Sequence, residues 1–257
     1  MNRFALGALG AGAISFAAFR VRALDAPGSV AAAAVGTLTI GTLGFPGAGV
    51  LLTFFVTSVA LSRVGRKRKL AVLVDVEKHS SRNAAQVLAN GGVAVLCAAL
   101  SLTGDSRFIY AFAGALAAAT ADTWGTEIGT LGKRAPRSIL SRRPVAAGLS
   151  GGVSVLGTLG ECAGAAVLAL AACACFKRRG FYALALAGVA GALVDSVLGA
   201  SLQSLRWCPE CKRASERPIH ECGAATTPLR GFSFIGNDAV NIAATSAGAL
   251  AGFVLAP

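Results

Sequence analysis

The stretch "FIYAFAGALAAATADTWGTEIGTL", residues 108–131, begins as an apolar, small-residue run and then admits Asp122, Thr123, Thr126 and Glu127. A charged carboxylate at the centre of a membrane helix costs ~2.5–3.5 kcal/mol on insertion scales. Such a segment is expensive unless cations or hydrogen-bond donors gather around its polar end. Its reading as a helix with a polar end decides the rest of the fold.

Composition agrees. Hydrophobic residues make up 54% of the 257-residue chain and charged residues 14%, where soluble domains carry about 25%. The mean hydropathy is +0.65. Apolar segments run at about 4–19, 28–44, 46–62, 84–104, 108–131, 145–176, 181–205 and 235–256, several near the ~20 residues a bilayer crossing needs. The first reads as a membrane helix rather than a cleaved signal, because Arg20 and Arg22 follow it and further spans come after. The expected fold is all-α: a polytopic transmembrane helical bundle of about seven spans with broken or re-entrant segments. It forms one membrane domain over 1–257, with a Cys/His-containing loop at 206–233.

Two segments leave alternatives open. "GFPG" at 44–47 favours a turn, so 28–62 is either two short spans or one hairpin dipping into the membrane. The run 145–176 is long for one span, and its front end "VAAGLSGGVSVLGT" suits a broken or re-entrant segment that protein or water must satisfy. Counted as one crossing, it leaves loops 20–27, 63–83, 132–144 and 206–233 on one side, with 19 of the 24 Lys and Arg residues. Positive-inside bias places that side in the cytoplasm, consistent with a bacterial-type plasma membrane. Splitting the run would bring Lys177–Arg179 inside but carry the Cys/His loop outside. The net charge of +12 thus reflects loop asymmetry. No basic stripe interleaved with aromatics suggests a nucleic-acid partner, and "RVGRKRK" at 63–69 reads as a topology anchor at lipid headgroups.

The misplaced polar residues fall in the same half. Asp122 and Glu127 join Asp195 in "GALVDSVLGASLQ" and Asn237, Asp238 and Asn241 in "IGNDAVN". Asn237 and Asn241 are helical i, i+4 neighbours, and Arg82, Gln86 and Asn90 form a stripe at i, i+4 and i+8. Carboxylates with Asn and Thr suit a hard, oxygen-liganded cation such as Mg2+. Arg82 and the backbone amides of Ser150, Gly151 and Gly152 suit phosphate oxygens. The Gly/Ser run also reads as close helix packing, and Glu161 reads equally as packing residue or ligand. No G-x-x-x-x-G-K-[ST] sequence is present, so a nucleotide site here is not a P-loop.

Of seven cysteines, Cys97, Cys162, Cys173 and Cys175 lie in apolar runs as small hydrophobes. Cys208, Cys211, His220 and Cys222 share one short loop as C-x2-C-x8-H-x-C. That set suits a tetrahedral, structural Zn2+, with a disulfide or free thiols as the alternative.

Together, "SRNAAQVLANGG", "AAATADTWGTEIGTLGKRAPRSI", "AAGLSGGVSVLGTLGE", "GALVDSVLGASLQ" and "IGNDAVN" resemble one family of integral membrane proteins. It was first known as a domain of unknown function, and includes transmembrane protein 19 and the phytyl-phosphate kinase of plants and cyanobacteria. The resemblance covers roughly residues 28–256 and implies a polytopic α-helical membrane protein. For the kinase members it implies transfer of a phosphoryl group from a nucleoside triphosphate, CTP or another, to an isoprenyl monophosphate. The matching positions are Arg82, Gln86, Asn90, Asp122, Glu127, Ser150, Gly151, Gly152, Asp195, Asn237, Asp238 and Asn241. On that reading Asp122, Glu127 and Asp238 hold Mg2+ against the donor phosphates. Arg82, with Lys133 or Arg134, neutralises the acceptor phosphate, and Asp195 is a further ligand or orients Asn237. The rival reading is an ion-coupled transporter using the intramembrane carboxylates; a third, a lipid-binding or assembly protein without chemistry, leaves those carboxylates unexplained.

Overall fold

Glycine and alanine recur along the apolar stretches, and small side chains let helices approach backbone to backbone where a bilayer offers no water to the peptide groups. The computed structural model describes residues 2–66, 69 and 81–257; most of the 63–83 loop, with part of its basic run, lies outside the described residues. Those described form seven helices: α1 (Arg3–Arg20), α2 (Ala26–Arg63), α3 (Ala84–Leu100), α4 (Arg107–Gly129), α5 (Val155–Phe176), α6 (Phe181–Ser201) and α7 (Asn237–Val254). Four stretches are long and apolar enough to cross a membrane: Ala26–Arg63, Ala84–Thr103, Val155–Phe176 and Phe181–Ser201.

Helix α2 is not one rod. Gly44 has φ 67° and ψ −158°, a region open to little but glycine, and Pro46 follows. Arg63, at the helix end, donates to the Val21 carbonyl at 3.3 Å, and Gly28, near its start, packs on the Arg82 carbonyl. Gly44 instead lies beside Arg3, and Gly49 beside Cys175. The two halves therefore run antiparallel as two legs, each about as long as α1. Among the described residues the bundle thus has eight helical legs, one for each apolar segment of the sequence, with 28–62 divided in two at Gly44.

The run 145–176 also divides. Residues 145–154 stay out of helix, and α5 begins after Ser154, whose Oγ accepts from the Gly157 amide at 3.1 Å. In front of it, β1 (Arg137–Ser138) pairs antiparallel with β2 (Gly152–Val153). The loop 206–233 carries a three-stranded antiparallel sheet of β3 (Leu205–Cys208), β4 (Arg213–Ser215) and β5 (Thr227–Arg230), in the order β4-β3-β5. These short strands are the departure from an all-α chain.

Helix α4 occupies the centre. Phe112, Leu116, Ala117, Ala118 and Ala121 are wholly buried, with α3, α5, α6 and α7 packed around it. It meets α7 backbone to backbone: an added Cβ at Gly114 would collide with the Gly248 carbonyl, and one at Gly248 with that of Gly114. Thr245 then ties α7 to the Ala89 carbonyl of α3 at 3.2 Å. Arg82 and the three loops after α2, α4 and α6 mark one end of the bundle. The other end holds Arg3, Lys177–Arg179 and the chain terminus, with Tyr110 Oη donating to the Arg179 carbonyl at 2.9 Å. Basic residues segregate in space as they do along the chain.

Because Gly44 sits where a Cβ is strained, Gly44→Ala is expected to lower stability by about 1–3 kcal/mol. Gly10→Ala, inside α1 with open space for the Cβ, is expected to raise stability by up to about 1 kcal/mol; thermal unfolding of both in detergent checks the pair.

Candidate functional site

The last two turns of α4 emerge from the packed centre at the Arg82 end. There Asp122, Thr123, Thr126 and Glu127 turn toward a recess of about 360 Å³. Arg82, Gln86 and Asn90 line its α3 side, and Asn237 and Asn241 its α7 side. Arg22, Arg63, Arg66 and Lys69 complete it. The expected stripe at 82, 86 and 90 arises from helix capping: Asn83 Oδ1 accepts from the Gln86 amide at 2.9 Å, and Gln86 Oε1 from the Asn83 amide at 3.2 Å. Arg82 is pinned by its backbone, with its amide on the Ala23 carbonyl and its own carbonyl accepting from the Asp25 amide, both at 3.1 Å. Burial pushes its guanidinium below the ordinary arginine value, opposed by the charge of Glu127; an arginine so placed remains a cation.

Glu127 is already engaged. Lys69 Nζ lies 2.5 Å from Glu127 Oε2, and it also donates to the Leu61 carbonyl at 2.7 Å. The Lys69 side chain is 5% exposed and that of Glu127 21%. The pair is thus largely withdrawn from water and anchors the cationic wall to α4.

On the other side of Asp122 lies a smaller recess of about 60 Å³. Asp122 from α4, Glu161 from α5 and Asp195 from α6 line it together, closed by Ser150, Gly151 and Gly152. Asp122 and Thr126 belong to both recesses. Gly151, at φ 79°, packs so tightly on Ala200 that a Cβ there would overlap it. The amides assigned to phosphate are in part committed elsewhere. Ser150 N–H donates to Glu216 Oε1 at 2.8 Å, and Gly152 N–H to the Leu149 carbonyl at 3.1 Å. The loop closes the recess rather than offering a row of donors.

A third recess, of about 130 Å³, is apolar. Ala11 and Ile14 of α1, both legs of α2 (Val35, Ile40, Leu52, Phe55) and Gly91 of α3 line it. Arg82, Gln86, Asn90 and Thr123 line it too, and all four also line the large polar recess.

Several expected positions fall elsewhere. Asp238, in the first turn of α7, lines none of the three recesses, while its neighbour Asn237 does. Lys133 and Arg134 are exposed and line none of them either; Arg22, Arg63, Arg66, Lys69 and Arg82 supply the positive charge. Asp195 and Asn237 line different recesses. Glu161 joins the carboxylates that the residue pattern alone left ambiguous. Asp122, Glu161 and Asp195 could each offer a carboxylate oxygen to a hard cation in this recess, although among the described residues only the Cys/His set brings three or more such ligand atoms within 4.8 Å of one another. Mg2+ commonly takes one or two carboxylates and fills its remaining positions with water and phosphate oxygens. At the same end, Cys208, Cys211, His220 and Cys222 draw together in the sheet-bearing loop.

Comparison with known proteins agrees with this membrane architecture. The family model described as Integral membrane protein DUF92 matches residues 9–249. Protein PGR of Arabidopsis thaliana is 32% identical over 256 residues, covering 89% of this chain and 87% of that protein. An uncharacterized membrane protein of Methanocaldococcus jannaschii is 34% identical over 180 residues, 70% of this chain and 74% of its own. One from Synechocystis sp. is 28% identical over 179 residues, 67% and 69% of the two chains. No solved structure matches.

Removing one partner of the Lys69–Glu127 pair strands the other charge. Lys69→Met is expected to cost ~2 kcal/mol, less than a fully buried pair because Glu127 keeps some contact with water. Lys69→Met with Glu127→Gln regains most of it, as read by denaturant titration in detergent.

Proposed function

The chain belongs to the integral membrane protein family DUF92, and from that premise we propose that it is a membrane-embedded kinase of isoprenyl monophosphates. One observation carries the reading: a cation-lined polar recess and an apolar recess share the lining residues Arg82, Gln86, Asn90 and Thr123. Such a junction suits a ligand with a phosphate head and a hydrocarbon tail. The tail lies between α1 and the two legs of α2, and the head meets Arg82.

Phosphoryl transfer asks mainly for positioning and charge neutralisation. An anionic oxygen of the acceptor monophosphate attacks the γ-phosphorus of the nucleoside triphosphate. The bond from that phosphorus to the β-phosphate oxygen breaks, and the nucleoside diphosphate leaves. The attacking oxygen already carries charge, so no strong general base is required. Arg82, Arg63 and Arg66 neutralise charge across the two substrates. Asn237 and Asn241 offer amide donors to phosphate oxygens, and Gln86 and Asn90 set the depth of the head. Asp122, Asp195 and Glu161 would hold Mg2+, which supplies neutralisation of the donor phosphates. Lys69 keeps Glu127 from competing for that cation.

The excess of basic residues at the Arg82 end supports a cytoplasmic orientation, where nucleotide is available. All three recesses meet at this end, which supports an enzyme over an ion-coupled carrier, whose site sits near mid-membrane.

The test is purified protein with phytyl or geranylgeranyl monophosphate, Mg2+ and each of the four nucleoside triphosphates. Isoprenyl diphosphate is the expected product, and its absence from every pairing sinks the proposal. Arg82→Leu is expected to lower kcat/KM at least ~100-fold. Val35→Phe, filling the apolar recess, is expected to raise KM ~10-fold for a twenty-carbon acceptor and less for a five-carbon one.

A further inference from the structure

The loop between α6 and α7 is polar, lies outside the helical core, and nevertheless folds into a sheet. Cys208, the last residue of β3, is fully buried, and His220 is 4% exposed. Neither is covered by an apolar core of any size, and modules this small generally need a covalent or metal staple. The four side chains Cys208, Cys211, His220 and Cys222 come from two turns of the loop, and their ligand atoms all lie within 4.8 Å of one another.

The spacing inside the cluster discriminates between staples. The Sγ atoms of Cys208 and Cys222 are 3.6 Å apart, and His220 Nδ1 is 3.2 Å from Cys222 Sγ. A disulfide requires sulfurs at ~2.05 Å. Two thiolates on one tetrahedral zinc, at about 2.3 Å each, stand ~3.8 Å apart. The Cys211 amide also points at Cys208 Sγ at 3.4 Å, satisfying an acceptor in the way knuckle turns do. Four protein ligands leave no coordination position for substrate, which makes such a site structural.

The sheet reaches the candidate site through two side chains. Glu216, directly after β4, accepts the Ser150 amide at 2.8 Å and so holds the loop that closes the carboxylate recess. Arg230, at the end of β5, donates to the Gly199 carbonyl at 2.9 Å, next to Ala200, on which Gly151 packs. Arg230 and Glu216 also attract each other. The Cys/His cluster therefore bears on a wall more than sixty positions upstream in the chain.

We propose that Cys208, Cys211, His220 and Cys222 bind one Zn2+ per chain, and that this clip holds Glu216 against Ser150 and so fixes the wall of the carboxylate recess. The proposal stands independently of the catalytic reading, since its readouts are metal content and backbone protection. Elemental analysis of protein purified without chelator is expected to give one zinc per chain, and Co2+ exchange the absorption of a tetrahedral thiolate site. Zinc well below one per chain after reduction and equilibration with Zn2+, an octahedral Co2+ spectrum, or a Cys208–Cys222 disulfide in peptide mapping overturns the site. Cys222→Ser is expected to lose the metal; if it does not fold, the Co2+ spectrum of the unaltered chain decides. For the clip, hydrogen exchange over residues 146–153 is read before and after metal removal, and in Glu216→Ala. Both are expected to speed exchange there ~10-fold or more while α4 stays protected, and Glu216→Ala retains the zinc. Unchanged exchange in both overturns the positioning role and leaves an isolated zinc site.

Discussion

The close packing of small residues around α4 governs the rest of the structure. Gly114 against Gly248, and Gly191 against Ala118, bring α7 and α6 within backbone contact of the central helix. A bilayer provides no hydrophobic drive between helices, so such approach relies on dispersion and on backbones that lack intervening side chains. A helix enclosed on every side has no lipid-facing surface at its buried end. Its polar residues must then face other helices, and Asp122, Thr126 and Glu127 meet Arg82, Lys69 and the α7 amides instead of hydrocarbon. The penalty of each carboxylate, ~2.5–3.5 kcal/mol if isolated, is offset within the bundle by the partners that the packing supplies.

The same packing produces a division of labour at one end of the bundle. Asp122 stands between a recess rich in cations and one lined by carboxylates. Lys69 neutralises Glu127 in the first, while Glu161 and Asp195 line the second together with Asp122. The apolar third recess lies between α1, the two legs of α2 and α3. A polar and an apolar recess thus share four lining residues, Arg82, Gln86, Asn90 and Thr123.

Much of this was legible in the residue pattern. The helix positions followed from apolar runs, and the stripe at Arg82, Gln86 and Asn90 followed from helical periodicity. Asn237 and Asn241 reached the pocket for the same reason. What misled was proximity along the chain: Lys133, Arg134 and Asp238 lie close in sequence to pocket residues yet point elsewhere. Lys69 carried no signal of its own within a basic run that reads as a topology anchor. Glu161 had none beyond being an acid in an apolar stretch. The two legs of 28–62 were legible from "GFPG", whereas how they pack on α1 and α3 was not.

Local order along the chain was enough to determine a polytopic helical membrane protein, its polar clusters and the grouping of Cys208, Cys211, His220 and Cys222 in one loop. These depend on hydropathy, on 3.6-residue periodicity and on short-range spacing, all of which are properties of contiguous residues. Which carboxylates share a recess, which cation neutralises Glu127 and which loop Glu216 supports were decided by tertiary structure. Those pairings join residues tens of positions apart, and they depend on how deeply each helix is set against α4, a quantity no single segment encodes.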